Sequence, residues 1–222
     1  MPRSAVLQVA RKDLLLESRA AEQLTLFAML VALVLVVFRV AAEGRPVPVA
    51  TALWVSLLLS ASVALSRSFH AEADHGTLDL LLASPAAPAA LFLGKAFAGA
   101  AFTFGAALFA LVLCAAFFGA DFVRDPVALV AFLGLGALGL SVQGAFFSAL
   151  SARTRTRASL FPVLMIPFAL PLFLWATRGT VASSLGAPLL GPAVLADLGL
   201  VAAYDALFLV LYTFLAPRAL SA

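Results

Sequence analysis

Six runs of almost purely apolar residues, near 24–40, 49–65, 91–118, 127–150, 160–177 and 194–216, leave this chain little freedom in what it can fold into. About 17–25 apolar residues suffice for a helix to cross the hydrocarbon of a bilayer. Within that hydrocarbon the backbone must satisfy its own hydrogen bonds, so runs of this length are helices. Composition agrees: the 222 residues are 64% hydrophobic and 11% charged, against about 45–50% and 25% in soluble domains. The expected fold class is therefore an all-α integral membrane protein with about six transmembrane helices. The connections, such as Glu43-Gly-Arg-Pro46 and Ser151-Ala-Arg-Thr-Arg-Thr-Arg157, are too short to hold a soluble domain, so residues 1–222 form a single transmembrane domain.

Ahead of the first run, Val6, Val9, Ala10, Leu14 and Leu16 recur at helical spacing, while Gln8, Arg11, Lys12 and Arg19 fall mostly on the other side. This pattern predicts an amphipathic helix over 4–19, lying in the headgroup plane. Val40-Ala41-Ala42 resembles a signal-peptidase site. The segment before it is longer than a usual signal and further spans follow, so the first run reads as an uncleaved helix.

Orientation follows from the basic residues, which favour the cytoplasmic side of short loops. With the N-terminus inside, ten of the 14 are cytoplasmic: Arg3, Arg11, Lys12, Arg19, Arg67, Lys95, Arg153, Arg155, Arg157 and Arg218. Four, Arg39, Arg45, Arg124 and Arg178, are external. Both termini and the 67–95 loop are thus expected in the cytoplasm. Scattered at the ends of apolar runs, these charges set topology and do not form a phosphate-binding stripe, which argues against nucleic acid as a partner.

The 67–95 loop, Arg67-Ser-Phe-His-Ala-Glu-Ala-Asp-His-Gly-Thr-Leu-Asp-Leu-Leu-Leu-Ala-Ser-Pro85 and on to Lys95, is the longest polar interruption. Gly76 can break an extension of the second span, Thr77 can cap a short leucine-bearing helix, and Pro85 and Pro88 end it. A short helix flanked by charge suits either docking to a partner or resting on the bilayer surface.

Arg67-x-Phe69, Glu72, Gly76-Thr-Leu-Asp79, Leu81, Pro85 and Lys95 resemble the signature loop of the cytochrome c maturation protein B family, also called haem exporter protein B. Gly134-x-Gly136-x-x-Gly139 in the fourth span and Pro167-Phe-Ala-Leu-Pro171 in the fifth are similar to that family's patterns in the same order. The resemblance covers nearly the whole chain and implies an ABC-2-type permease fold. It further implies an ATP-driven complex in the bacterial inner membrane, with Arg67, Phe69, Glu72, Gly76, Asp79, Pro85 and Lys95 coupling the chain to a separate ABC ATPase subunit. The implied further partners are a second polytopic haem-handling membrane protein and a periplasmic haem chaperone, with two copies of the chain per complex. ATP hydrolysis would then drive haem delivery or release of the loaded chaperone.

The residues fit that division of labour. No Gly-x-x-x-x-Gly-Lys-Ser/Thr phosphate loop occurs, so ATP would come through a partner subunit. Haem iron takes His, Met, Cys or Tyr ligands. The two histidines, His70 and His75, lie on the cytoplasmic side and on different helix faces, so no cofactor or metal is expected to be bound directly and haem is left to partners. Cys114, the single cysteine, lies within an apolar run and excludes an intrachain disulfide. No catalytic constellation is expected in the chain itself. Trp54 and Trp175 read as interfacial or lipid-facing anchors. Ala137, Ser141, Ala145 and Ala149, beside Gly144, Ser148 and Ala152, put small residues on one face of the fourth span, suited to packing within the chain or to a dimer seam. Asp205, a third to halfway along the sixth span, costs roughly 2.5–3.5 kcal/mol to insert. It is expected inside the bundle, hydrogen-bonded to a group on another span.

Two other functions share these features: an ABC-2 permease exporting another lipophilic substrate, and a membrane scaffold that binds partners without energy coupling. Genes for an ATPase and a haem chaperone beside this one would separate the first reading from both. The charge asymmetry makes its own prediction. Reporter fusions at Arg155 and after Ala222 should behave as cytoplasmic and those at Asp121 and Gly186 as external; an external C-terminus would overturn the six-span plan.

Overall fold

The computed structural model describes residues 21–43, 45–74, 88–151 and 157–221, together with Val6 and Val9. Six helices follow in order among them: α1 (Ala21–Ala41), α2 (Val49–Asp74), α3 (Pro88–Phe118), α4 (Pro126–Ser151), α5 (Arg157–Ser184) and α6 (Pro192–Ser221). The last five are long and apolar enough to cross a membrane, and α1 carries a shorter apolar stretch, Thr25–Ala41. At 1.5 Å per residue its 21 residues still rise about 31 Å. The chain is an all-helical, multi-pass membrane protein. The expected interfacial helix 4–19 lies outside the described residues except for Val6 and Val9, both helical. Val9 and the Val6 carbonyl approach Gly94 of α3 so closely that a Cβ there would meet Val9 at 2.7 Å.

Helix α4 is the hub. The segment 141–149 is buried without interruption, and α4 packs against α2, α3, α5 and α6. Small residues make this possible. A Cβ on Gly136 would overlap the Trp54 indole of α2, and one on Gly144 would come within 2.7 Å of Leu65 Cβ, also on α2. At Gly139 it would overlap Leu172 of α5 and Asp205 of α6. Ser141 adds a polar tie, its Oγ donating to the Ala96 carbonyl of α3 at 2.7 Å, and Ser148 Oγ donates to the Ser66 carbonyl of α2 at 3.0 Å. The small-residue face of the fourth span therefore packs inside the chain: Ala137, Ser141, Gly144, Ala145, Ser148 and Ala149 are all buried.

Trp54 departs from the expected anchor role. It is 1% exposed, seated over Gly136, and its Nε1 donates to Thr180 Oγ1 of α5 at 3.0 Å. The vacancy left by a glycine side chain accommodates the indole, and the hydroxyl satisfies the one donor that would otherwise hold this ring at a wet interface. Trp175 is half-buried and meets Tyr204 edge-on with centroids 5.8 Å apart.

The ends of the bundle that face away from the 67–95 loop are closed by short turns. Asp125 caps α4, its Oδ1 accepting from Val127 N at 3.1 Å and Ala128 N at 3.0 Å, with Pro126 at the first helical position. Its Oδ2 accepts from Leu189 N in the α5–α6 turn at 2.8 Å, which ties two connections together. The Ala128 amide above all, then those of Leu189 and Val127, hold the Asp125 carboxyl below its ordinary pKa against partial desolvation. This cap is complete above the ordinary carboxylate range and is lost only as pH falls through the depressed value. Helix α5 ends on Gly186 at φ 96°, with Gly186 N donating to Ser183 O at 3.0 Å and Ala187 N to Ala182 O at 3.0 Å. That pair of bonds is a Schellman closure, and a left-handed residue is needed to make it.

Overpacking a helix seam costs typically about 1–3 kcal/mol. Gly136→Ala, Gly139→Ala and Gly179→Ala, whose new methyl would overlap the Phe132 ring, should each lower the unfolding midpoint of the purified protein in detergent. Gly105→Ala and Gly199→Ala, where a Cβ meets nothing within 4 Å, should be neutral or stabilising; equal losses in both groups would refute the close-approach account.

Candidate functional site

Two places in the fold carry polar groups that packing alone does not require. The first is the end of α2. Arg67, Phe69 and Glu72 lie on its last two turns, which continue as unbroken helix to Asp74. Gly76, Asp79 and Pro85 lie outside the described residues. Lys95, the far end of the loop, is on the second turn of α3 and is 6% exposed, next to Gly94 and so next to the contact with Val6 and Val9. Segment 67–74 adds about 12 Å of helix beyond the apolar part of α2, at 1.5 Å per residue.

The second place is the seam between α4 and α6. These helices run parallel, because Gly139 meets Asp205 at one level and Phe146 stacks on Tyr212 seven residues further along both, with ring centroids 4.0 Å apart and planes 3° from parallel. Asp205 is 3% exposed and faces the bundle interior, against Gly139 and Leu172. The expected hydrogen bond to another span is not formed: neither carboxyl oxygen has a partner among the described residues. The neighbouring Tyr204 turns instead to α5, where its hydroxyl donates to the Phe168 carbonyl. The physical reason is local, since Asp205 lies against the Gly139 backbone of α4 and a Leu172 methyl of α5, neither of which donates a hydrogen bond to it.

Gln143, one helical turn from Gly139 on the same face, is fully buried with both amide atoms unpartnered, and the Tyr212 hydroxyl is likewise unpartnered. Around them runs an aromatic stripe on α6, Tyr204, Phe208 and Tyr212 at i, i+4 and i+8, with centroids 4.4 and 5.1 Å apart. Sequence reasoning passed over Gln143 and this stripe. The signal was present, as a lone amide within an apolar run and aromatic residues at helical spacing, but such a stripe reads equally as core.

The remaining residues singled out in the sequence support these seams. Gly136 and Gly139 admit neighbouring side chains, whereas a Cβ on Gly134 would make only an ordinary contact with Phe104, at 3.7 Å. Pro167 and Pro171 lie inside α5 with Pro162, and the carbonyl that Tyr204 reaches falls between the first two.

With this geometry in view, comparison with known proteins is decisive. Residues 4–222 match the family described as CcmB protein. The chain belongs to the CcmB protein family. It is also 31% identical over 189 residues to the protein named heme exporter protein B of Paracoccus denitrificans (strain Pd 1222), covering 79% of this chain and 82% of that one. The CcmB match spans α1 to α6 and both polar places.

An unpaired buried polar group costs about 1–3 kcal/mol, and replacing it with an apolar group of like shape removes that cost. Asp205→Leu, which keeps the branching at Cγ, should therefore raise the unfolding midpoint of this CcmB-family protein in detergent, while Asp205→Asn leaves it near the parent value. A loss of several kcal/mol for both variants would show that the carboxyl is held by hydrogen bonds after all.

Proposed function

We propose that this chain is the membrane-spanning subunit of an ABC transporter complex for c-type cytochrome biogenesis in the bacterial inner membrane, with both termini in the cytoplasm. The observation that carries the reading is the match to the CcmB family over residues 4–222, joined by the similarity to a relative named heme exporter protein B. The sequence holds no phosphate-loop motif, so ATP hydrolysis would belong to a separate ATPase subunit. A second polytopic membrane protein and a periplasmic haem chaperone would complete the assembly, with this subunit in two copies. Ligation of the haem iron falls to those partners, because His70 and His75 sit on the 67–95 side.

Force from the ATPase would enter through the end of α2. From the sequence, Glu72 and Asp79 would supply charge, Gly76 a turn and Pro85 a stop, and α2 would carry the contact into the bundle as a continuous helix to Asp74. Energy released at the loop would then drive haem delivery or export, or release of the haem-loaded chaperone.

Charge reversal in a partly desolvated interface costs about 2–5 kcal/mol, whereas the same change on a merely solvated loop stays within about 0.5 kcal/mol. Glu72→Lys, Gly76→Leu and Asp79→Lys should accordingly insert normally yet lose the ATPase subunit on co-purification, or keep it and lower the yield of mature cytochrome c. Wild-type recovery of both in all three variants would remove the loop from the coupling path.

A further inference from the structure

Four basic residues stand at the bundle end opposite the 67–95 loop, on the side that the charge asymmetry assigns to the exterior. Two have evident local roles. Arg178 lies 3.6 Å from Asp197 across the α5–α6 connection, and Arg124 packs within 4 Å of the Cβ position of Gly186 at the Schellman turn. The other two, Arg39 in the last turn of α1 and Arg45 in the α1–α2 turn, line one cleft of about 640 Å³ together with Val47, Val49, Phe117 and Phe118. Neither guanidinium has an ion-pair or hydrogen-bond partner among the described residues. The cleft lies between the end of α1, the start of α2 and the end of α3, so three helix ends and one turn fix its walls.

We propose that this cleft binds the acidic head of an amphiphile, its oxyanion held by Arg39 and Arg45 and its apolar body laid against Phe117, Phe118, Val47 and Val49. Three considerations converge. The volume falls within the about 300–1,000 Å³ of small-molecule sites. A guanidinium presents a planar fork that matches a carboxylate or phosphate, and two of them facing one cleft offer paired recognition. The location at helix ends puts two guanidinium groups and an apolar, aromatic wall side by side near the membrane surface, which suits an amphiphile with an acidic head. Basic residues on this side run against the positive-inside tendency, and a ligand supplies the reason for retaining them.

Two sources share that chemistry: an anionic phospholipid and a haem bearing carboxylates. The second rests on the proposed function, and there the cleft would take the acid edge of the porphyrin and leave the iron to other chains.

The test uses the full chain in nanodiscs of phosphatidylcholine, titrated with zinc protoporphyrin IX and, in parallel, with its dimethyl ester, read by fluorescence anisotropy. The free acid should bind saturably and at least tenfold more tightly than the ester, and Arg39→Gln/Arg45→Gln should abolish that difference. Arg39→Lys/Arg45→Lys, which keeps the charge and loses the fork, should fall between. Both side chains are exposed, so the variants should keep the parent unfolding midpoint. In the second arm, phosphatidylglycerol is added to the discs and retained lipid is counted by native mass spectrometry. Arginine-dependent retention with no porphyrin preference would sustain the site with lipid as its occupant. If the double glutamine variant binds acid, ester and lipid as the parent does, the site is refuted. Failure of the proposed function would show elsewhere, as normal cytochrome c maturation in the loop variants with arginine-dependent binding intact.

Discussion

Everything in this bundle depends on how closely its neighbours approach α4. In lipid there is no hydrophobic force between helices, since the tails are as apolar as leucine, and association rests on van der Waals contact and a few polar ties. Contact of that kind falls off steeply with distance, so backbone spacing decides it. Gly136, Gly139 and Gly144 are placed along α4 so that Trp54, Leu172 and Leu65 can lie directly on its backbone. The result is visible in burial: 67% of the apolar windows of α2 and α4 is buried inside the chain, against 28%, 28% and 22% for α3, α5 and α6. The inner pair is set by small residues, and the outer helices leave most of their surface outside the chain's own packing.

The polar groups of the interior are not equally satisfied. Ser141 on the Ala96 carbonyl and Ser148 on the Ser66 carbonyl tie α4 to α3 and α2, and Trp54 bonds across to α5, while the buried hydroxyls of Ser60 on α2 and Thr177 on α5 have no partner among the described residues. On the α4–α6 seam, Gln143, Asp205 and Tyr212 are unpartnered as well. An unsatisfied polar group in a low-dielectric interior is costly, and three on one seam make α4–α6 the least favourable contact of the hub per polar atom. A seam of that kind is the one most readily rearranged when something else supplies the missing partners.

Much of this was legible in the sequence because membrane crossing leaves few alternatives. Run length marked the helices, and the small residues of the fourth run marked a close-packing face without deciding between the chain's own helices and a second copy. Asp205 facing inward followed from its cost in lipid. Its lack of a partner did not follow, because the identity of the facing surface depends on the relative rotation of α4 and α6, which hydropathy leaves open. Trp54 was misjudged for a related reason: tryptophan has a strong preference for interfaces, and only the pairing of Gly136 beneath it with Thr180 beside it removes that preference. The α1–α3 cleft was hidden because Arg39 and Arg45 are far from Phe117 in the chain and meet it only through packing.

The α2–α4 contact also says where a push on the 67–95 loop would go. Helix α2 runs unbroken from Val49 to Asp74, and it grips α4 at separate levels, Trp54 on Gly136 near one end and Leu65 on Gly144 near the other. The two levels are 11 residues apart on α2, about 16 Å at 1.5 Å per residue. A rod held at two such points cannot pivot on one of them without breaking the other, so a displacement at Asp74 must move α2 and α4 as one body. Relative motion would then fall to the outer contacts of that body, among them the α4–α6 seam with its unpartnered Gln143, Asp205 and Tyr212.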